Sequence, residues 1–339
     1  MPRPGGSMNA PVTIALDGMG GDRAPAEPVH GAIVAAREGV RILLVGDQAV
    51  LSAELIAQGG APEGLYVVHA PDIVGSDEDG AKAVRAKPES SLVIACKLVA
   101  DGTAQGVVSP GNTGATLAAA TLYIRRLPGV IRPGIAAVLP SARGPVVLID
   151  AGANHETRSE YLQQFALMGR LLARDVLQIP APRVGLLSIG EESGKGSELV
   201  QATYEALKGT EGFVGNVEGR DIPQGTVDVV VTDGFTGNVA LKLYEGAGAV
   251  MFSEIKDTLN SSVRGKLGGL LSRPAIRRLR AKFDVDEYGG AYLVGVRGLV
   301  VIGHGNASGY AIANAIRLCA RGVQGQLVQR VEAGVAPTS

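Results

Sequence analysis

Five loops that combine glycine with polar side chains hold most of the residues that could do chemistry. They cover 16–25, 109–115, 188–196, 232–239 and 303–309, and each follows a strand-like run or precedes a helical pattern. Glycine lets the backbone approach a ligand closely, and backbone N–H groups at the start of a helix attract anions. Lysine and histidine in or beside these loops add cationic and proton-donating groups. Together the loops predict a site for phosphate or another oxyanion.

The second loop, SPGNTGA, opens a helix. Asn112 or Thr113 can cap this helix, and Gly111 and Gly114 allow backbone N–H groups to face an anion. We therefore predict phosphate binding here, with plain helix capping as the alternative. Ser109, at the end of the preceding strand-like run, is included among the substrate-binding candidates.

Two other loops resemble nucleotide-binding motifs without completing them. In 16–25, Arg23 stands where the third glycine of the dinucleotide fingerprint belongs. In 188–196, Gly196 replaces the Ser or Thr of a P-loop. An ordinary tight turn and solvated loop charges are the respective alternatives. The substrate-binding candidates here are Asp17, Gly20, Gly21, Asp22 and Glu191, and Lys195 is a catalytic candidate.

The last two loops add candidates of both kinds. Gly237 and Asn238 lead into a helical pattern that carries Lys242 about one turn later. His304 lies between two glycines, which favours a ligand or acid–base role over a place in the core. Ser308 is a substrate-binding candidate but not an elbow nucleophile, because the G-x-S-x-G pattern is absent around it.

Histidine and cysteine predict neither a metal site nor a reactive thiol. The four histidines are scattered singly, without the spacing of zinc ligands. Cys96 and Cys319 lie among apolar residues at helical spacing, which predicts small buried side chains. We therefore predict no metal, no cofactor and no covalent enzyme intermediate.

Nine strand-like runs alternate with amphipathic helical patterns and must position these loops. The runs are apolar on both faces, as in strands buried within a mainly parallel sheet. This alternation predicts a doubly wound, three-layer α/β architecture. We expect a single α/β domain over 11–330, after a disordered extension at 1–10 and before a flexible tail at 331–339. The runs are 12–16, 41–45, 65–69, 105–109, 135–139, 145–150, 184–189, 227–232 and 298–302.

A segment at about 246–284 breaks this alternation and predicts a protruding helical hairpin. Two helical patterns flank a turn rich in glycine and serine that carries Leu267, Leu270 and Leu271. The segment is basic, which suits an acidic carrier protein or anionic lipid headgroups, with burial in a dimer as the alternative. Its cations are Arg264, Lys266, Arg273, Arg277, Arg278, Arg280 and Lys282.

The composition excludes several classes of protein. Of 339 residues, 46% are hydrophobic and 19% are charged, so the chain can bury a sizeable core and is not disordered. The formal net charge of −1 provides no field to recruit nucleic acid. No apolar run approaches the ~20 residues of a membrane span, and the first residues do not resemble a secretory signal. We expect a cytoplasmic protein.

Eight motifs, taken in order, resemble the PlsX family of bacterial phosphate acyltransferases. The resemblance extends from about Val12 to Arg321, and the combined order is specific although each motif alone is not. In chain order the motifs are DGMGGDRAP, SPGNTGA, RPGIAAVLP, GLLSIGEESGKG, GNVEGRDIP, DGFTGNVALK, EYGGAYLVGV and GHGNAS.

This resemblance implies an enzyme that converts acyl-acyl carrier protein and inorganic phosphate to acyl phosphate and free carrier protein, for phospholipid synthesis. It also implies a Rossmann-like α/β/α sandwich related to phosphotransacetylase and isocitrate dehydrogenase, a homodimer, and peripheral association with the membrane. Three positions depart from the family pattern: Arg23 replaces the usual His, and Gly18 and Pro110 replace the usual Ala.

The implied reaction needs an anion site and a proton donor. We place phosphate against two helix starts, 112–114 and 237–238, with charge from Lys242, Lys195 or Arg132. Direct attack of phosphate on the thioester is expected, because neither cysteine is placed to react. The predicted catalytic residues are His304, Lys242, Asn112 and Lys195.

His304 is preferred as the acid–base group, because Arg23 removes the family's histidine from the first loop. Three other functions remain as alternatives. They are a phosphotransacetylase that uses acyl-CoA, a non-catalytic membrane-docked adaptor for carrier protein and, distantly, a nicotinamide dehydrogenase.

Overall fold

The computed structural model describes residues 11–283 and 287–335, without the side chains of residues 280 and 281. Contacts divide the chain into two compact units. Unit 1 comprises Met1–Pro128 and Gly289–Glu332, and unit 2 comprises Gly129–Tyr288 and Ala333–Ser339. The sequence predicted one domain over 11–330, because hydrophobic periodicity cannot reveal that the chain leaves a unit and later returns to it. The extension predicted at 1–10 lies outside the described residues.

In the described part of the chain, eleven strands alternate with helices, which confirms the predicted α/β class. Nine of them fall on the predicted runs, whereas β8 and β10 were missed. β8 contains Gly215 and Asn216, which weaken a strand signal, and β10 is four residues long. The strands are β1 (Thr13–Asp17), β2 (Arg41–Gly46), β3 (Leu65–His69), β4 (Gly106–Ser109), β5 (Gly134–Leu139), β6 (Val146–Ile149), β7 (Val184–Leu187), β8 (Phe213–Val217), β9 (Val229–Val231), β10 (Ala291–Val294) and β11 (Leu299–Ile302).

The helices connect these strands. α5 continues directly into a π-helical turn at Ala120–Ile124. The helices are α1 (Ala26–Arg37), α2 (Gln48–Ala57), α3 (Gly80–Ala86), α4 (Ser91–Ala100), α5 (Thr113–Ala119), α6 (Ser159–Asp175), α7 (Glu198–Leu207), α8 (Asp221–Gln224), α9 (Gly234–Asn260), α10 (Val263–Phe283), α11 (Gly309–Gln324) and α12 (Leu327–Val335).

Unit 1 is built on strands in the order β3-β2-β1-β4-β11-β10. Every pairing within this set is parallel except that between β10 and β11. Helices α1, α2 and α11 pack on one face, and α4 packs on the other, where α5 packs beside α4 and α3 packs against α5. Because both faces are covered, all residues of β1 and β4 are buried, and the strands read as continuous apolar runs. The predicted three-layer, mainly parallel arrangement is therefore present in unit 1.

The strand order of unit 1 reverses between β1 and β4. From β1 the chain proceeds to β2 and β3 on one side, and then crosses to β4 on the other side of β1. Such a reversal opens a crevice at the carboxyl ends of the two strands, which is where open α/β sheets bind ligands. Asp17 and Ser109 are the last residues of β1 and β4, so the first two predicted loops begin at this point.

Unit 2 contains strands in the order β5-β6-β9-β7-β8, of which only β5 and β6 pair in antiparallel fashion. Helices α6 and α7 pack together on this sheet, and α9 packs against β5 and β6. The carboxyl ends of β6 and β9 are neighbours. The loop 150–154 and the start of α9 therefore meet.

The predicted hairpin exists, but its helices extend further than expected. The helix predicted after 237–238 and the first helix of the hairpin are one helix, α9, which begins at Gly234, and α10 runs through the glycines and through Pro274. The turn predicted at 265–272 is therefore helix, and the connection lies at 261–262. A Cβ on Gly265 would lie 2.6 Å from the Leu259 carbonyl oxygen, so this glycine permits close packing of the two helices.

The chain beyond residue 330 does not form the flexible tail that the sequence predicted. Residues 331–335 continue α12, and Val331 is 1% exposed. Apolar residues at helical spacing bury this last helix, although its glycine and small residues weaken the sequence signal. Residues 336–339 lie outside the described part.

Candidate active site

At the carboxyl end of β1, the Asp17 carboxylate joins three segments of unit 1. Its Oδ1 accepts a hydrogen bond from Ser91 Oγ at 2.6 Å, and its Oδ2 accepts one from Ser109 Oγ at 2.8 Å. Ser109 Oγ in turn accepts a hydrogen bond from the Gly111 N–H at 3.2 Å. One carboxylate therefore holds the end of β1, the end of β4 and the start of α4.

Burial determines what Asp17 can do. The residue is 2% exposed, and desolvation raises the pKa of its carboxyl group, while the donors Ser91 and Ser109 oppose that rise. Both carboxylate oxygens already have protein partners. The structure therefore shows Asp17 holding strand and helix ends together, and its predicted role in substrate binding stays a prediction.

Gly20 and Gly21 allow loops of unit 1 to meet backbone to backbone. A Cβ on Gly20 would lie 2.5 Å from Asp17 Oδ2. A Cβ on Gly21, whose φ is +90°, would lie 2.9 Å from the Gly305 carbonyl oxygen. The Asp22 N–H donates to that same oxygen at 2.7 Å. The first and fifth predicted loops are thus in contact, as expected from their places at strand ends.

Asn112 caps α5, and two backbone N–H groups at the start of this helix have no acceptor within it. Asn112 Oδ1 accepts a hydrogen bond from the Ala115 N–H at 2.9 Å. The first N–H groups of a helix have no acceptor within the helix, and Thr113 and Gly114 occupy exposed positions. Their N–H groups are therefore available to an anion, and phosphate binding at this loop stays a prediction.

The side chain of Asn112 is engaged within the protein. Its Nδ2 donates to the carbonyl oxygens of Ser76 at 3.2 Å and Glu78 at 2.9 Å, while its Oδ1 caps the helix. Both amide hydrogens are thus used by the segment that precedes α3. The structure therefore shows Asn112 joining the start of α5 to the segment before α3, and its predicted catalytic role stays a prediction.

The fifth loop contains a serine that caps a helix and an exposed histidine. Ser308 Oγ accepts a hydrogen bond from the Ala311 N–H at 3.3 Å, and the Glu27 carboxylate accepts one from the Gly309 N–H. The start of α11 is thus satisfied by protein groups, and Ser308 serves as its cap. His304 lies exposed on the loop and stays the acid–base candidate.

A second buried carboxylate, Asp150, organises unit 2 at the end of β6. It is fully buried, and its two oxygens accept five hydrogen bonds at 2.8–3.1 Å. The donors are the N–H groups of Ile135, Gly152, Ala153 and Asn154 together with Asn154 Nδ2. Sequence reasoning missed this residue, although an aspartate two residues before a glycine at a strand end was a usable signal.

The start of α9 rests on this carboxylate loop. Asp233 caps the helix by accepting a hydrogen bond from the Thr236 N–H at 2.9 Å. The Gly237 N–H donates to the Asp233 carbonyl oxygen at 2.9 Å, so it is not available to a ligand. A Cβ on Gly237 would overlap the Asp150 carbonyl oxygen. The helix start predicted at 237–238 is therefore one turn too late, and Gly237 serves close packing.

The charged candidates of unit 2 lie at its surface. Lys195, Lys242 and Arg132 are all exposed, and Asn238 is half-buried within α9. Glu191 lies 3.8 Å from Arg220, measured between the carboxylate Oε1 and the guanidinium Nη2. These residues belong to unit 2, whereas Asp17, Ser109, Thr113 and His304 belong to unit 1.

The hairpin presents both cations and leucines to solvent. Leu267, Leu270 and Leu271 are 60%, 64% and 76% exposed on α10. Lys282 Nζ donates to the Ala142 carbonyl oxygen at 2.8 Å, which ties the end of α10 to unit 2. The side chain of Arg280 lies outside the described residues. The other predicted cations are exposed, namely Arg264, Lys266, Arg273, Arg277 and Arg278.

The segment 87–91, Lys-Pro-Glu-Ser-Ser, holds two residues that sequence reasoning missed. Ser91 donates to Asp17, and Lys87 Nζ contacts Glu78 Oε1 at 2.6 Å. A polar run directly before the apolar helix α4 was the signal that could have found them. Neither residue belongs to a glycine-bearing loop, which is why they were passed over.

Other reactive groups are buried or dispersed. Among residues 11–283 and 287–335, no cluster of His, Cys, Asp or Glu could hold a metal ion. Cys96 and Cys319 are fully buried, as predicted, and burial raises the pKa of both thiols. Because a thiol must ionise to act as a nucleophile, neither cysteine suits covalent catalysis. Within the described helices, none has the length and apolar character needed to cross a membrane.

Known structures confirm the fold. The chain resembles a phosphotransacetylase from Streptococcus pyogenes with a TM-score of 0.64 and 15% identity over 94% of each chain. It also resembles the EutD phosphotransacetylase from Staphylococcus aureus, with a TM-score of 0.61 and 16% identity over 94% of each chain. The Rossmann-like architecture predicted from the sequence is thus found in these proteins.

Sequence comparisons identify the family. The chain is 51% identical over 320 residues to a phosphate acyltransferase from Thermus thermophilus, covering 94% of this chain and 97% of that protein. It is 46% identical over 326 residues to one from Elusimicrobium minutum, covering 95% and 96%. A family model described as a fatty acid synthesis protein matches residues 12–330. The loops at the strand ends are thus those of an acyltransferase, and the chain belongs to the PlsX family of phosphate acyltransferases.

Proposed function

We propose that this acyltransferase converts acyl-acyl carrier protein and inorganic phosphate to acyl phosphate and free carrier protein, in phospholipid biosynthesis. The observation that carries the proposal is the start of α5 in unit 1. Thr113 and Gly114 are exposed there with unsatisfied helix-start N–H groups, at the reversal of strand order between β1 and β4. This is the arrangement expected of an oxyanion site.

The reaction transfers the acyl group directly to phosphate. A phosphate oxygen attacks the thioester carbonyl carbon, a C–O bond forms, and the C–S bond breaks. The departing thiolate takes up a proton, and the products are acyl phosphate and the thiol of the carrier arm. The high pKa of both buried cysteine thiols supports direct attack over an acyl-enzyme route.

We assign the anion-binding role in unit 1 to the N–H groups of Thr113 and Gly114. Asp17, Ser109 and Asn112 hold this loop in place through the hydrogen bonds described above. His304 is proposed to supply the proton to the leaving thiolate, since its exposed imidazole can act as a general acid. In unit 2, Lys242, Lys195 and Arg132 are proposed as exposed cations for the charged substrate.

We assign docking to α10. Its exposed arginines and lysines would attract an acidic carrier protein, and Leu267, Leu270 and Leu271 would enter the edge of an anionic bilayer. The enzyme would then be a cytoplasmic homodimer with peripheral membrane contact. A transmembrane span is not needed for such binding, because exposed apolar side chains beside basic ones can hold a helix at the surface.

The decisive experiment measures acyl phosphate directly. Purified protein is incubated with inorganic phosphate and either long-chain acyl-acyl carrier protein or the matching acyl-CoA. The proposal expects phosphate-dependent acyl phosphate with the carrier-protein substrate at the higher kcat/KM. A preference for acyl-CoA would instead favour a phosphotransacetylase. Absence of turnover on either thioester would leave the non-catalytic adaptor.

The role of His304 is tested by His304→Ala. General acid catalysis typically contributes 10²–10⁴-fold, so kcat should fall by about that factor. His69→Ala is the matched control, because His69 is another exposed histidine of unit 1, at the end of β3. Equal activity of the two variants would remove His304 from the mechanism.

The membrane role of α10 is tested by flotation with vesicles containing anionic lipid. Leu270→Glu combined with Leu271→Glu should abolish co-flotation. Ile56→Glu is the control, because Ile56 is 77% exposed on α2 and lies outside the hairpin. Unchanged flotation of the double variant would refute membrane contact through these leucines.

A further inference from the structure

The segment 72–79, which we call the acidic segment, lies before α3 and carries Asp72, Asp77, Glu78 and Asp79. It is held from two directions. Lys87 holds it from the far end of α3, and Asn112 holds it from the start of α5. The acidic segment therefore connects Lys87 to the loop proposed to bind phosphate. Lys87 itself has no direct part in the proposed reaction.

Lys87 closes the acidic segment into a turn. Its Nζ donates to the Ile73 carbonyl oxygen at 2.9 Å and to Glu78 Oε1 at 2.6 Å. Glu78 Oε1 also accepts a hydrogen bond from the Gly75 N–H at 2.6 Å. One ammonium group and one carboxylate thus fix the path of residues 73–78. The hydrogen bond from Lys87 lowers the pKa of Glu78, so this carboxyl group stays ionised near neutrality.

Asn112 transmits this arrangement to α5. Its Nδ2 donates to the carbonyl oxygens of Ser76 and Glu78, and its Oδ1 accepts from the Ala115 N–H. The same planar amide is therefore bound on one side by the acidic segment and on the other by the first turn of α5. A displacement of the Glu78 backbone would therefore move the amide group that caps the helix.

The start of α3 also touches the start of α5 directly. A Cβ on Gly80 would overlap the Ala115 nitrogen, so the two backbones are in contact without an intervening side chain. Such a contact transmits small displacements, because packed backbone has no free volume to absorb them.

We propose that Lys87 is a positioning residue for phosphate binding, acting through Glu78 and Asn112 to orient the N–H groups of Thr113 and Gly114. The effect of Lys87 on phosphate binding and catalysis rests on the proposed function. The effect of Lys87 on the order of the first turn of α5 stands without that function.

A role in stability alone predicts a different outcome, namely a lower melting temperature in Lys87→Met with no selective effect on phosphate binding. The side chains of Lys87 and Glu78 are each 34% exposed, and partly exposed ion pairs contribute little to the stability of a fold. Removal of Lys87 should therefore leave the melting temperature nearly unchanged. A positioning role predicts instead a local loss of order and weaker phosphate binding.

The test compares Lys87→Met with Lys82→Met. Lys82 lies on the same helix and contacts Asp79 of the acidic segment at 3.4 Å, but its side chain is 84% exposed. We expect the KM for phosphate to rise by at least about tenfold in Lys87→Met, with a smaller change in kcat and in the KM for the acyl substrate. Lys82→Met should match the wild type, and Lys87→Arg should recover part of the loss.

A second readout needs no substrate. Amide hydrogen exchange at Ala115 and Thr116 reports the cap, because these N–H groups donate to Asn112 Oδ1 and to the Asn112 carbonyl oxygen. Exchange should be faster in Lys87→Met and unchanged in Lys82→Met. If the wild type makes no acyl phosphate, the proposed function fails while exchange still decides the positioning. If Lys87→Met does not fold, Glu78→Gln removes the same ion pair by replacing the carboxylate. Unaltered exchange in the folded variant overturns the inference.

Discussion

Ser109 Oγ donates a hydrogen bond to Asp17 Oδ2 at 2.8 Å, which joins the ends of β4 and β1 where the strand order of unit 1 reverses. Both residues are buried. The same hydroxyl accepts from the Gly111 N–H, so it links the carboxylate to the loop that precedes α5. These two hydrogen bonds fix the loop before α5 to the ends of β1 and β4.

Ser109→Ala should destabilise the protein by about 1–3 kcal/mol, because it removes a partner of a buried carboxyl group. Urea unfolding followed by circular dichroism measures the change. Ser261→Ala is the control, since the Ser261 hydroxyl bonds the Thr258 carbonyl oxygen at an exposed position. The idea fails if both variants unfold at the same urea concentration.

Replacing either of two glycines of α9 by alanine should change the free energy of unfolding, in opposite directions at the two positions. A Cβ on Gly237 would overlap the Asp150 carbonyl oxygen, so Gly237→Ala should lose about 1–3 kcal/mol of stability through overpacking. A Cβ on Gly248 meets nothing within 4 Å, so Gly248→Ala should gain up to ~1 kcal/mol of helix propensity. Thermal unfolding of the two variants distinguishes these outcomes. A stabilised Gly237→Ala would contradict the packing described at the start of α9.

Cys96→Ala and Cys319→Ala should each retain the wild-type kcat. Both thiols are buried and their pKa values are raised, so neither is ionised near neutrality. Steady-state assay of acyl phosphate measures the effect, and alkylation by iodoacetamide in the folded protein should be slow for both cysteines. A large loss of kcat in a folded variant would instead indicate an acyl-enzyme route.

The pair Glu38–Arg317 should contribute to the pH dependence of stability. Arg317 donates two hydrogen bonds to the Glu38 carboxylate, at 2.6 and 2.7 Å, and these lower its pKa from 4.5. The folded state then binds fewer protons than the unfolded state at this group, so its contribution is complete above about pH 4.5 and is lost as the pH falls through the lower folded value.

Glu38→Gln should therefore flatten the acid side of the stability profile. Urea midpoints measured between neutral pH and the onset of acid unfolding provide the comparison. Glu63→Gln serves as a control, because Glu63 is another exposed carboxylate of unit 1. Identical slopes for wild type and Glu38→Gln would show that the pair is too solvated to matter.

Local pattern was sufficient for most of the described strands and for several of the loops. Nine of the described strands coincide with apolar runs, because strands covered on both faces must be apolar throughout. Cys96 and Cys319 were correctly placed in the core by their helical neighbours. Loops at the carboxyl ends of strands were recognised by glycine beside polar side chains, and they include the start of α5.

Long-range contacts decided what individual residues do. Asp17 and Asn112 are residue types that often bind ligands, but in the structure their side chains bond other protein groups. Asp17 accepts from Ser91 and Ser109, and Asn112 donates to the Ser76 and Glu78 carbonyl oxygens. Ser91, Lys87 and Asp150 stand outside the glycine motifs and matter through partners distant in sequence. In the sequence the glycines of α10 favoured a turn, whereas in the structure Gly265 and Gly269 pack against Leu259 of α9.

The sequence by itself determined the α/β class, the buried thiols, the family and the basic character of 264–282, because these follow from composition, periodicity and the order of motifs. The tertiary structure alone decided the division into two units, the continuity of α10 through Pro274 and the network around Asp17. The physical reason is that hydrogen-bond partners and backbone approach depend on residues brought together by strand order, which no local pattern encodes.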